Sequence, residues 1–136
     1  MPSCRNGWWR VSNFLKSSRE EIKLQLNSVE VEDSDVQIYE HIPARIAAPC
    51  FIISPGSPYV EQGNSFCDFS VRYEVLLLSG VATNEVETDN LDHFIAEALD
   101  ALDTWHIESV EQPSQYELNG AAYLGAKVNL LADKSL

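Results

Sequence analysis

Apolar positions recur with two periods along the chain, and the switch between them outlines the elements. In SFCDFSVRYEVLLLSG, residues 65–80, Phe69, Val71, Tyr73, Val75 and Leu77 alternate with Asp68, Ser70, Arg72, Glu74 and Leu76. A period of two with one mostly polar side predicts a half-buried antiparallel strand, ended by Ser79-Gly80. In TDNLDHFIAEALDALDTW, residues 88–105, Leu91, Phe94, Ile95, Ala98, Leu99 and Leu102 fall on one helical stripe. Thr88 or Asp89 is placed to cap that helix. Downstream, Tyr116 and Leu118 run into Asn119-Gly120, a strong hairpin signal. Ala122, Leu124, Ala126, Val128 and Leu130 then alternate with Ala121, Tyr123, Gly125, Lys127 and Asn129. Gly125 inside that run predicts a bulge or a close backbone approach.

The first half is less regular. Ser18-Arg19-Glu20-Glu21 fits a Ser-x-x-Glu capping box and predicts a short helix holding Ile22, Leu24, Leu26 and Val29. Residues 1–16 read as an arm, since adjacent Trp8 and Trp9 cannot share one strand face. The acidic run Glu32 to Asp35 reads as a turn. Val36, Ile38 and Glu40 would then share one strand face, with Gln37, Tyr39 and His41 on the other. Pro43 and Pro49 bracket a connector, because a residue before proline is pushed toward extended backbone. CFIIS, from Cys50, is a short apolar strand that Pro55-Gly56 and Ser57-Pro58 break. The whole predicts an α+β fold: a mostly antiparallel β-sheet with helices packed on one face, in a single domain over 17–136 preceded by the arm 1–16.

Length and composition agree with one globular domain. The chain has 136 residues, 45% hydrophobic and 22% charged, enough to bury a core without disulfide or metal. No apolar run approaches the roughly 20 residues of a membrane span, so no membrane partner is expected. The first sixteen residues lack a clean apolar stretch, so no signal peptide is expected. Cys4, Cys50 and Cys67 form no CxxC pair and read as reduced thiols.

Charge adds a polarity. The net charge is -12, from 21 acids and 9 bases, which disfavours adhesion to nucleic acid or anionic membrane. Arg5, Arg10, Lys16, Arg19 and Lys23 put five of the nine bases in the first 23 residues. From Tyr73 to Ala126 there is no Lys or Arg, against eleven acids. The chain has a basic head and an acidic body, a pattern that also serves solubility alone.

Candidate chemistry is sparse. Cys50 would need His41, His93 or His106 beside it as a base, but its neighbours supply neither an oxyanion site nor a means to lower the thiol pKa. His93 and Glu97 share a helix face, yet no HExxH or loop-spaced Asp cluster indicates a metal. SPGSP is too proline-rich to cradle phosphate, since proline removes backbone donors. No cofactor or catalytic residue is expected.

The order of features is nevertheless familiar. A helix is followed by a strand ending in Ile42-Pro43, then by a short strand running into PGSPYV. The long alternating strand CDFSVRYEVLLLSG, an acidic helix and a closing YLGAKVNLLA strand complete it. Over about Ser18 to Ala132 this resembles the tail terminator (tail-completion) proteins of long-tailed, siphovirus-type bacteriophages. The resemblance implies a structural virion protein at the tail-neck junction, assembled in the host cytoplasm, and not an enzyme. Its α+β subunit would form a homo-hexamer, a ring that caps the tail tube protein, ends polymerisation and joins the head-tail connector or stopper protein. DNA would pass through the hole without sticking.

On that expectation Trp8, Trp9, Arg10 and Arg19 would contribute to a subunit interface. Glu85, Glu87, Asp89 and Asp92 would line the channel, and Pro55, Tyr59 and Glu61 would meet the tube. The alternatives are a head-closure or stopper ring, a small cytoplasmic cysteine-dependent enzyme using Cys50, and a ligand-binding α+β module that dimerises.

Overall fold

A computed structural model describes residues 9–31, 34–46, 49–62, 68–80, 85–118 and 120–135. It begins with helix α1, Trp9–Leu26, nine residues ahead of the predicted start. Ser18 is therefore no cap. It sits in mid-helix, 2% exposed, on the same face as Ile22 and Leu26, which are fully buried. Phe14 and Leu15 pack on the core from the preceding turns. Phe14, Ser18, Ile22 and Leu26 follow an i, i+4 spacing in which Ser18 is the small member of a buried stripe. The helix thus runs through the residues read as the end of an arm. It stops without a glycine: Asn27 N–H donates to the Lys23 carbonyl at 3.1 Å, and the Ser28 hydroxyl to that of Gln25 at 2.9 Å.

Two two-residue strands follow, β1 (Glu30–Val31) and β2 (Ser34–Asp35), paired antiparallel, so Ser34 and Asp35, read as part of an acidic turn, are strand residues, and Glu32 and Asp33 lie outside the described residues. The main sheet then starts with β3, Gln37–Tyr39. Strand β4 spans Cys50–Gln62 and β5 Asp68–Gly80. Helix α2, Glu85–Ala101, leads to β6 (His106–Val110), β7 (Ser114–Leu118) and β8 (Ala121–Ser135). The strand order is β3-β4-β5-β8-β6, with β7 also on β8. Strands β6 and β7 share one edge of β8: β6 pairs residues 128–131 and β7 pairs 121–125. The β3–β4 pair is parallel and the others are antiparallel. The fold is a single α+β domain with a mixed sheet, broadly as predicted.

Strand β4 corrects another expectation. The two prolines do not end it; the strand passes through them to Gln62. Its register on β5 jumps from Pro55↔Tyr73 to Val60↔Val71, so Gly56 to Tyr59 form an irregular bulge that includes a cis Ser57–Pro58 bond. Proline is tolerated there because β3 pairs β4 only over residues 50–52, which leaves the proline segment at a sheet edge. Helix α2 also starts earlier than predicted, so Thr88 and Asp89 lie within it.

The core sits on one sheet face under both helices. Phe51, Ile53, Phe69, Val71, Tyr73, Val75, Leu77, Val128 and Leu130 meet Ile22 and Leu26 of α1 and Phe94, Ala98 and Leu102 of α2. The period of two thus selects every odd residue of β5 from 69 to 77, and each fully buried large side chain contributes about 1.5–3 kcal/mol. The Phe51 and Phe94 rings pack at a tilt of 42° with centroids 4.7 Å apart. A smaller cluster forms on the opposite face, where Cys50, Ile52, Leu78 and Tyr123 are covered by Tyr39, Ile46 and Tyr116. The connection from β3 to β4 carries Ile46 over this face. Gly125 is where the sheet draws tightest: an added Cβ would run into the Leu77 carbonyl oxygen and lie 2.8 Å from Leu78 Cδ2. This is the close approach the sequence predicts.

Candidate functional site

Two surfaces concentrate polar side chains. The first is a cleft of about 420 Å³ between α1 and the bulge of β4, lined by Ser12, Leu15, Lys16, Arg19, Glu20, Glu40 and Tyr59. The early start of α1 builds one wall, and the bulge turns Tyr59 toward it. Arg19 Nη2 donates to the Tyr59 hydroxyl at 3.2 Å, and that hydroxyl donates to Tyr73 Oη at 3.3 Å. Tyr73 Oη donates in turn to the Leu15 carbonyl at 2.6 Å. The Tyr59 and Tyr73 rings meet edge to face with centroids 5.6 Å apart, and Tyr73 meets Trp105 the same way at 6.0 Å, a geometry the aromatic quadrupole favours. The hydrogen bond it donates to Tyr59 holds the Arg19 guanidinium even more firmly charged than usual. Burial pushes the Tyr73 hydroxyl well above its ordinary value, so it stays a donor. The cleft thus presents a fixed cation on an aromatic support, with Lys16 beside it.

The second surface is the sheet face turned away from the helices. Arg72 on β5 donates through Nη1 to Glu61 on β4 at 2.8 Å and through Nε to Glu108 on β6 at 3.0 Å. Since β8 lies between β5 and β6, the guanidinium clamps strands on both sides of it. Those two hydrogen bonds raise the Arg72 pKa, with Glu61 the larger cause. Nearby, Asn129 Nδ2 donates to Ser109 Oγ at 3.0 Å and to Glu111 at 3.2 Å, Lys127 lies 3.6 Å from Glu74, and Ser70 donates to Asp133 at 2.6 Å. A hollow of about 260 Å³ opens among Gly56, Ser57, Arg72, Glu74, Glu108, Ser109, Glu111 and Asn129. Gly56 makes the bulge lie close here, because a Cβ on it would fall 2.6 Å from Arg72 Cβ.

The structure brings two of the expected contact residues, Arg19 and Tyr59, into one hydrogen bond, although they had been assigned to different contacts. Pro55 is exposed, and Glu61 is exposed but bonded to Arg72. Asp92 is exposed on α2. Glu85, Glu87 and Asp89 lie on the α2 backbone, Trp9 and Arg10 on that of α1, and the side chains of these five fall outside what the structure describes. Trp8, Cys4 and Cys67 lie outside the described residues. The Arg72 clamp was missed in the sequence. Its signal was a lone arginine on the polar side of an alternating strand, but its partners lie 11 and 36 residues away.

Cys50 is fully buried, and burial lifts its thiol to about 12. A thiol in that state supplies almost no thiolate at neutral pH and gives a nucleophile no route to substrate. Among the described residues, no group of three or more His, Cys, Asp or Glu side chains is arranged to hold a metal. No helix of the described residues is long and apolar enough to cross a membrane. No protein-family model matches the chain, and no curated protein matches it.

Proposed function

We propose that this chain is a structural ring subunit of a phage tail, a tail terminator that caps the tube, stops its growth and joins it to the head connector. The observation that carries the reading is the exposed side of α2. Asp92, Asp100 and Asp103 are exposed there, with no Lys or Arg within 4 Å of any of them among the described residues. Such acids repel one another and sit poorly beside the negative end of the helix. A wall of this kind along a bore repels DNA phosphates, so that DNA slides through without the counterion release that drives adhesion. The α+β framework with both helices on one sheet face accords with the resemblance. The proline-interrupted edge of β4, with Pro55, Tyr59 and Glu61, offers the tube a rigid contact.

The test is disruption of the gene in a phage that carries it, with the particles imaged by negative stain. Tails longer than normal are expected. Tails of normal length beside heads that leak DNA would assign the chain to the stopper ring instead, and normal particles would overturn both.

A further inference from the structure

The cleft beside α1 holds two opposite charges that do not meet. Arg19 lines it from α1, and Glu40 from the residue that follows β3. The Tyr59 bond is the largest cause of the raised Arg19 pKa, and the field of Glu40 acts in the same direction. Yet among the described residues no carboxylate oxygen lies within 4 Å of the Arg19 guanidinium. The cause lies on the far side of that group. Arg19 donates to Tyr59, Tyr59 to Tyr73, and Tyr73 to the Leu15 carbonyl. This chain fastens the guanidinium to the bulge of β4 and keeps it from swinging onto Glu40. Among the described residues it spends one of the five guanidinium N–H donors, and the others form a fork suited to a carboxylate. Lys16 and Glu20, also on the rim, stand one turn apart on α1 and offset each other. The charge left facing across the opening is that of Arg19 against Glu40.

We propose that this cleft binds a small zwitterion of the α-amino-acid class, its carboxylate on the Arg19 guanidinium and its ammonium on Glu40. Such a ligand completes the pair that the protein holds open. It also brings no net charge into a cleft whose two bases and two acids already balance. A dianion such as phosphate is disfavoured, because Glu20 and Glu40 repel it. Leu15 and the Tyr59 ring give the cleft apolar wall, which suits an aliphatic side chain. Its volume of about 420 Å³ falls at the lower end of the roughly 300–1,000 Å³ of small-molecule sites, as a single amino acid requires. The site lies on the helix side of β4, whereas Glu61 is bonded to Arg72 on the opposite sheet face. Occupancy therefore leaves that face unchanged, and the site does not rest on the terminator reading.

Isothermal titration calorimetry of the purified full chain with L-leucine tests this. N-acetyl-leucine, which lacks the ammonium, and leucinamide, which lacks the carboxylate, are the control probes. Saturable binding of L-leucine is expected, with each analogue about tenfold or more weaker. These three titrations use the native chain and need no variant. Glu40→Gln should make leucine and N-acetyl-leucine bind alike, and Arg19→Met should make leucine and leucinamide bind alike. A merely structural role would not pair each side chain with one end of the ligand. Tyr59→Phe keeps the ring but frees the guanidinium to close on Glu40, so leucine should bind it more weakly than the native chain. Circular dichroism of each variant checks that it is folded. No saturable binding of L-leucine at millimolar concentration, analogues that bind as well as leucine, or folded variants that keep the native preferences would overturn the site. Leucine binding combined with normal particles after gene disruption would leave the site standing and overturn the terminator reading alone.

Discussion

Tyr73 Oη donates to the backbone carbonyl of Leu15 at 2.6 Å, fastening the middle of β5 to the first half of α1. Tyr73→Phe removes this bond and the one received from Tyr59 while keeping the ring. It leaves the Leu15 carbonyl without that donor, and a loss of about 1–2 kcal/mol is expected. Urea unfolding gives the number. An unchanged midpoint would show that water replaces the hydroxyl at no cost.

Two glycines separate two kinds of constraint. Gly56→Ala puts a methyl 2.6 Å from Arg72 Cβ and 2.9 Å from the Arg72 carbonyl carbon, so the bulge must move, at about 1–3 kcal/mol. Gly120→Ala meets nothing within 4 Å but is held at φ 82°, where the expected cost is about 1 kcal/mol. Gly120→Asn should recover much of that, and no polar replacement should rescue Gly56. Thermal unfolding of the three variants distinguishes them.

Cys50 links stability to alkaline pH. Its pKa is raised from 9.0 to about 12 by burial, so the folded chain holds the proton more tightly than the unfolded chain does. The contribution is complete below pH 9 and is lost as pH climbs from 9 toward 12. In a chain with Cys4→Ser and Cys67→Ser, iodoacetamide should label Cys50 in denaturant and leave it untouched in the folded state. The midpoint of unfolding should fall above pH 9 less steeply in Cys50→Ala. Fast native labelling would contradict the burial.

Arg72 is 23% exposed and its partners Glu61 and Glu108 are 55% and 33% exposed, so the clamp is solvent-screened. Arg72→Met keeps the stem over β8 and removes the charge. A loss of about 1 kcal/mol or less is expected at low ionic strength, shrinking in concentrated salt. Urea midpoints measured at low and high salt check both parts.

The elements that could be read from the chain are those whose pattern is local. The α2 stripe from Leu91 to Leu102, the β5 alternation and the tight approach at Gly125 all follow from period or from one residue's geometry. The start of α1 did not, because Ser18 looks the same as a cap or as a small buried residue until Phe14 and Leu15 are seen against the sheet. Strand β4 hid behind its prolines, since whether a proline breaks a strand depends on which edge lacks a partner. Strand β6 escaped notice because Ile107 and Val110 flank a register shift on β8, which spoils the alternation. At the candidate site, the sequence singles out Tyr59 and Arg19 separately and gives no sign that they meet. Their hydrogen bond spans 40 residues and depends on the bulge.

Strand β8 holds β5 along one edge and both β6 and β7 along the other. During synthesis those three strands therefore emerge before the segment that unites them. A nascent chain that has emerged as far as Leu118 displays β5 with one bare flank and two short strands with nothing to join. The native sheet becomes available in a single late step, when residues 121–135 clear the exit tunnel, and until then the nascent chain is most open to pairing with the wrong edge.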